Sequence, residues 1–348
     1  MKNTRMTYKI AAACALAISA LSSCDVHEFP AEEPGKQSIT LNLEFRTEMP
    51  LHQTVEYTRS GNASTNAGDY DIRYQIRVYR TDNEGEPLSD VYTSITETKD
   101  DVTDLNHSVD IEIEKGNYLF LVWADYVDGG KEEDKFYATG NFGEITLAGE
   151  SHCGNNVFRD AFRGEAAATV ASGDGTPQEI TVEMERPLAR YQFVTTDLET
   201  FITNALKEQE ARDGAEKEDS PTKAVNLDDY RIVFRYTGFM PSAFNVFTNK
   251  PIDAITGVSF AGKITRLNEK EAELGFDYVF VNGTESTVPV AVEVYGTDNR
   301  LLSSTGPIDV PLVRSKYTIV RGPFLTTQAS GNVGINPGFD GDWNYEIK

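Results

Sequence analysis

The sequence predicts an all-β protein of two β-sandwich domains in tandem, with one short helix in the second. Three observations predict it. Apolar residues recur at every second position in many short runs, the period of a strand with one buried face. Clusters of Gly, Asn and Asp separate those runs at short intervals, as between antiparallel strands. Helical spacing occurs in one stretch, residues 197–213.

Taken in order, residues 39–45 place Ile39, Leu41, Leu43 and Phe45 on alternate positions and read as the first strand. A Gly-, Asn-, Ser- and Thr-rich loop is expected over 60–68. Residues 70–79 alternate again, with Ile72, Tyr74, Ile76 and Val78 on one face. Asp82-Asn83-Glu84-Gly85 marks a turn. Val109, Ile111 and Ile113 mark the next strand. The nearly continuous apolar run around Leu119 to Trp123 reads as a central strand covered on both faces. Further strands are expected at 136–138, 145–147 and 180–184. A boundary is placed near Glu185-Arg186-Pro187, and a second series opens with 188–195.

Leu198, Phe201, Ile202, Ala205 and Leu206 share one helical face, with Asp197 as the candidate N-cap. An acidic loop to Thr222 follows. Strands resume at 230–236, 257–264, 274–281, 288–295 and 317–320. Pro289 argues that its strand is an edge or a strand start. Asn282-Gly283 is a two-residue hairpin signal. Trp343, Tyr345 and Ile347 alternate at the end of the chain, giving a last strand.

The N-terminus carries a different signal. Lys2, Arg5 and Lys9 precede an apolar, Ala-rich run over 10–20, and Leu21-Ser22-Ser23-Cys24 ends it. A bilayer span needs about 20 apolar residues. This shorter run reads as the core of a signal peptide, and the small residues before Cys24 read as a lipoprotein cleavage site. The Cys24 thiol would accept a diacylglyceryl group. Cleavage before it then frees an amine for acylation, and several buried acyl chains anchor a protein stably. The expected organisation is a signal over 1–23, a lipidated tether over 24–36, an N-terminal sandwich over 37–185 and a C-terminal one over 186–348. Pro30, Pro34 and four acids give the tether nothing to bury.

Among 348 residues, 32 are Lys or Arg and 55 are Asp or Glu, a net charge of −23. Losing the signal removes three basic residues and no acid, so the exported chain is more acidic still. That balance excludes a nucleic-acid partner, which needs a basic face. It also leaves membrane attachment to the lipid rather than to charge. With Cys14 in the signal and Cys24 acylated, Cys153 has no cysteine to pair with and core packing must hold the fold.

Catalytic and metal signals are weak. His27, His52, His107 and His152 are far apart and have no zinc spacing. The stretches around Ser151 and Ser259 miss the G-x-S-x-G spacing. Neighbours in an extended segment point to opposite sides, so Cys153 and His152 make a poor dyad. Asp340, Asp342, Asn344 and Glu346 alternate but lack the glycine and distant glutamate of a calcium loop. No catalytic residue, metal site or cofactor is assigned, and a non-enzyme is expected. The aromatics Tyr236, Phe239, Phe244 and Phe247 read as packing before they read as a glycan platform.

Several stretches carry a family likeness. They are Cys24 to Pro30, the Arg186-Pro187-Leu188-Ala189-Arg190-Tyr191-Gln192-Phe193 run, Tyr236 to Pro241, Leu274 to Phe280, and Gly334 to Asp342. Together they resemble the anchor and accessory subunits of Bacteroidota-type fimbriae, and within them a domain-of-unknown-function subgroup of lipoproteins. The resemblance implies two transthyretin-like sandwiches, an outer-membrane lipid anchor facing the exterior, and assembly with fimbrial or other cell-surface protein subunits. Stalk subunits of that kind lose their first strand by cleavage after an arginine. Arg46 closes the first strand here, whereas an anchor keeps both strand and lipid. The expected contacts are therefore strand edges: Ile39, Leu41, Leu43 and Phe45 in the first strand, and Trp343, Tyr345 and Ile347 in the last. The alternative is a surface lipoprotein that captures a glycan.

Overall fold

The computed structural model describes residues 35–45, 69–149, 151–171, 176–213, 224–327 and 344–347. The first half contains β1 (Lys36–Phe45), β2 (Tyr70–Thr81), β3 (Pro87–Lys99), β4 (His107–Glu114), β5 (Gly116–Asp128), β6 (Tyr137–Ala138), β7 (Ile145–Leu147), β8 (Ala161–Val170) and β9 (Gln178–Glu185). Its main sheet runs β3-β2-β5-β8-β9-β1-β4. β8 meets β9 through only two residue pairs, Arg163 with Glu185 and Gly164 with Met184. At that join the strands fold around one core. Ile39, Leu41 and Leu43 of β1, Ile72 to Val78 of β2, Val109 to Ile113 of β4, and Val182 and Met184 of β9 supply it. Gly164 is required there, because a Cβ would lie 2.4 Å from the Met184 sulfur and 2.6 Å from Val182.

β5 is apolar on both faces because both are covered. Phe120 and Val122 face that core, while the Trp123 ring packs 5.6 Å from Tyr137 and 6.1 Å from Phe244. Phe244 lies far along the chain, in the second half. That half contains β10 (Leu188–Thr195), α1 (Leu198–Asp213), β11 (Arg231–Tyr236), β12 (Met240–Asn245), β13 (Lys250–Ile255), β14 (Ser259–Gly262), β15 (Thr265–Arg266), β16 (Ala272–Phe280), β17 (Glu285–Tyr295), β18 (Leu301–Ser304), β19 (Ile308–Val313), β20 (Tyr317–Gly322) and β21 (Asn344–Ile347). One sheet runs β15-β16-β10-β20-β21. A second runs β14-β11-β17-β18, with β19 beside β17. Between them lies a second core that includes Phe193, Phe234, Leu274, Val292 and Val320.

The halves share a small sheet, β13-β12-β7-β6, in which Ala243 and Phe244 pair with Thr146 and Ile145. Phe276, Tyr278 and Phe280 of β16 also join the first core. The chain passes between the halves at Arg186-Pro187, between β9 and β10.

Three local expectations are corrected. Asn282-Gly283 does not close a hairpin. β16 and β17 enter different sheets, and only Gly283 takes a positive φ, of 78°. β17 as a whole is not an edge, since it pairs with β11 on one side and with β18 and β19 on the other, although its N-terminal part up to Pro289 pairs with β19 alone. Pro289 is tolerated because the β11 ladder ends at Tyr236, opposite Val290. Its missing N–H falls just past that end, where its carbonyl accepts from Thr237 N at 3.0 Å. The Asp197 side chain turns away from α1 and accepts from Thr326 N at 2.8 Å and Thr326 Oγ1 at 2.7 Å, tying the chain after β20 to the helix start.

Candidate functional site

The first strand is not an edge. β1 lies between β4, antiparallel, and β9, parallel, so both its ladders are filled. Its alternation sets the buried face. Ile39, Leu41 and Leu43 are essentially fully buried, each contributing about 1.5–3 kcal/mol. Phe45 closes the strand half-buried, 4.9 Å from the Phe162 ring, and its N–H donates to Asn106 Oδ1 at 3.0 Å. The last turns of β1 and the start of β4 line an open groove of about 450 Å³, with Asn42, Glu44, Asn106, His107 and Ser108 on its walls. His107 Nε2 sits 2.7 Å from Glu97, and its ring stacks on Tyr74 at 4.6 Å.

The last strand is an edge. β21 pairs antiparallel with β20, with Tyr345 opposite Val320 and Ile347 opposite Thr318. It ends the five-stranded sheet, and its other side has no strand partner among the described residues. Such an edge presents a row of backbone donors and acceptors to which another chain can add. Cys24, Arg46, Trp343, Asp340 and Asp342 lie outside the described residues.

A third feature was not assigned from sequence: a set of buried charges where the halves meet. Asp277 of β16, about 1% exposed, accepts from Tyr236 OH at 2.7 Å and from its neighbour's amide, Tyr278 N, at 2.8 Å. His152 Nε2 lies 2.5 Å away, and Arg159 forms a short ion pair with it. Tyr191 OH donates to Tyr236 OH at 2.9 Å. Burial pushes the Asp277 carboxyl up, but Arg159 and His152 outweigh it and hold it below the ordinary carboxylate range. Burial also drives the Tyr236 and Tyr191 hydroxyls well above theirs. Nearby, Arg186 Nε contacts both Asp160 oxygens, at 2.9 and 2.8 Å, and Arg190 lies 3.8 Å over the Phe276 ring. Further off, Arg73 grips Asp125 through two hydrogen bonds, of 2.9 and 2.8 Å. The one signal for these groups was charge inside apolar runs: Asp277 between Phe276 and Tyr278, and Arg190 between Ala189 and Tyr191.

Chemically this set is a lock. Asp277 is saturated by donors, and its neighbours are buried, so no substrate atom can reach it. His152 turns to Asp277 while Cys153 is exposed, which separates the pair. Among the described residues no group of three or more His, Cys, Asp or Glu is placed to hold a metal, and no helix is long and apolar enough to cross a membrane. Of the aromatics around Met240-Pro241, Tyr236 and Phe244 are buried and Phe247 packs on the first core. Phe239 is 71% exposed.

Solved structures similar to this chain include a candidate polysaccharide-binding protein from Bacteroides thetaiotaomicron, at 10% identity over 83% of this chain and 94% of that one, with a TM-score of 0.43. Another is the fimbrial anchor protein Mfa2 from Porphyromonas gingivalis, at 12% identity over 82% and 91%, TM-score 0.40. A third is a candidate cell adhesion protein from Bacteroides ovatus, at 11% identity over 90% and 96%, TM-score 0.45. Likenesses this distant carry no residue's role across. No curated protein matches the sequence. The family described as Family of unknown function (DUF6562) matches residues 34–348, well over half of the chain, and the chain therefore belongs to that family.

Proposed function

We propose that this protein is a lipid-anchored structural protein of the cell surface, of the fimbrial anchor or accessory kind, that holds a partner subunit along the β21 edge. The observation that carries the reading is the side of β21 left open among the described residues, far along the chain from the Leu21-Ser22-Ser23-Cys24 site. The lipid at Cys24 holds the chain on the outer membrane, and the far end offers backbone groups to a neighbour. β1 keeps both of its strand partners, as suits a subunit that ends a polymer rather than propagating one. Its role is structural and not catalytic.

Deleting residues 343–348 tests the contact. Surface subunits crosslinked to the intact protein should fail to co-purify with the shortened one. Unchanged recovery would remove β21 as the contact. A glycan platform has less support, because Phe239 stands alone as an exposed aromatic among the described residues and a sugar face needs several.

A further inference from the structure

We propose that the chain is a tension-bearing link, with each half clamped by a parallel pair between its first strand and a strand near its end. Among the described pairings two are parallel, β1 with β9 and β10 with β20; every other is antiparallel. The first joins residues 39–45 to 178–184 over seven pairs, and the second joins 190–195 to 317–322 over six.

Those two pairs lie in series on a single route. A pull on the tether reaches β1 at its N-terminal end, Lys36. It crosses to β9 by hydrogen bonds and leaves β9 at its C-terminal end, Glu185. Past Arg186 and Pro187 it enters β10 at Leu188, crosses to β20, and leaves at Gly322. At each crossing the load enters one strand at its N-terminus and leaves its parallel neighbour at its C-terminus. The strands are therefore drawn past each other, and the whole ladder must give way at once. An antiparallel pair pulled from one end opens rung by rung instead. The β4 ladder on the other side of β1 adds eight further pairs to the first clamp. The short link between the clamps is itself held: Arg186 is gripped by Asp160, Val281 N donates to Pro187 O at 3.1 Å, and Ser315 N to Leu188 O at 2.9 Å.

That load arrives through Cys24 rests on the anchor reading above; the clamp geometry does not. Forced rupture is governed by the unfolding rate, so the axis of pulling should decide the force. The test is single-molecule force spectroscopy on the full chain from Cys24, with Cys153→Ser and Cys24 as one handle. The second handle is Pro323→Cys for the shear axis, or Lys115→Cys, which pulls β1 and β4 apart from one end. Both positions are exposed. Thermal unfolding of each variant first establishes that the handles leave the fold intact. The expected result is a severalfold higher rupture force on the shear axis. Loss of the first half should then appear as one step of on the order of 500 Å, at about 3.4 Å per residue. Equal forces on the two axes, or a gradual low-force lengthening on the shear axis, would overturn the proposal. Mass spectrometry of the cellular N-terminus reads acylation separately. An unmodified Cys24 would end the anchor reading and leave the force ratio as it is.

Discussion

Asp277→Asn is the sharpest probe of what holds the two halves together. The substitution keeps the shape of the side chain and removes its charge. Arg159, with a side chain about 4% exposed, is then left in the interior without its counter-ion. Breaking a buried pair from one side costs about 3–5 kcal/mol, since the abandoned charge keeps its desolvation penalty. The donors from Tyr236 and His152 lose a charged acceptor as well, so the upper part of that range is expected. Urea unfolding followed by far-UV circular dichroism and by tryptophan fluorescence measures the loss, Trp123 reporting from the first half. Tyr236→Phe removes one hydroxyl from the same cluster and should cost only about 1–2 kcal/mol. Arg159→Met combined with Asp277→Asn should recover part of the loss, by at least about 1 kcal/mol against the sum of the single variants. The pH dependence has a definite sign. The folded Asp277 carboxyl sits below its ordinary value of 3.8, so its contribution is complete above that pH and fades as the pH falls through the lower folded value. Wild type and Asp277→Asn should therefore converge in acid. A loss under about 1 kcal/mol at neutral pH, or strict additivity with Arg159→Met, would refute the lock.

Asp125 titrates with the opposite sign. Burial lifts its carboxyl to about 6 against the pull of Arg73, so its share of stability is present below pH 4 and declines as the pH rises through 6. Stability measured from pH 4 to 7 should therefore show a downward component, on the order of 2–3 kcal/mol, that Asp125→Asn removes. Gly164→Ala should destabilise by about 1–3 kcal/mol, because its methyl group would overlap Met184 and Val182; a neutral result in thermal melts would show that the join can relax. In membrane extracts, Cys24→Ala should leave the detergent phase for the aqueous one, and continued partitioning would place the anchor elsewhere.

The strands most legible in the sequence are those with one face in a core. Ile72 to Val78 and Val109 to Ile113 alternate because water lies on one side and apolar packing on the other. β3 is faint in the sequence because its side chains stay half-exposed at the rim of the sheet and its Ser and Thr residues give little contrast. β8 was hidden by Ala166 to Ala168, small side chains that suit a helix as readily as a strand. Strand order is harder still. Ile39 to Leu43 reveal a buried face, but which strands flank them depends on β9, well over a hundred residues away. That is why β1 reads as an edge in sequence and stands between two neighbours in the structure. The buried cluster around Asp277 was illegible for the same reason. Its members come from four distant stretches, and a charge inside an apolar run shows burial without naming its counter-ion.

The small sheet stitched from β6, β7, β12 and β13 bears on how the molecule is made. Trp123 is sealed in part by Phe244, a residue that emerges from a ribosome or an export channel long after it. A nascent chain released at residue 185 would have β1 beside β9 but an indole covered on its outer side by Tyr137 without Phe244. Such an intermediate is sticky, and any holding chaperone must stay engaged until β12 has arrived. It follows that a cut at Arg186 would strip Phe244 from Trp123 and Phe276, Tyr278 and Phe280 from the first core, so the two halves are built to fold as one unit.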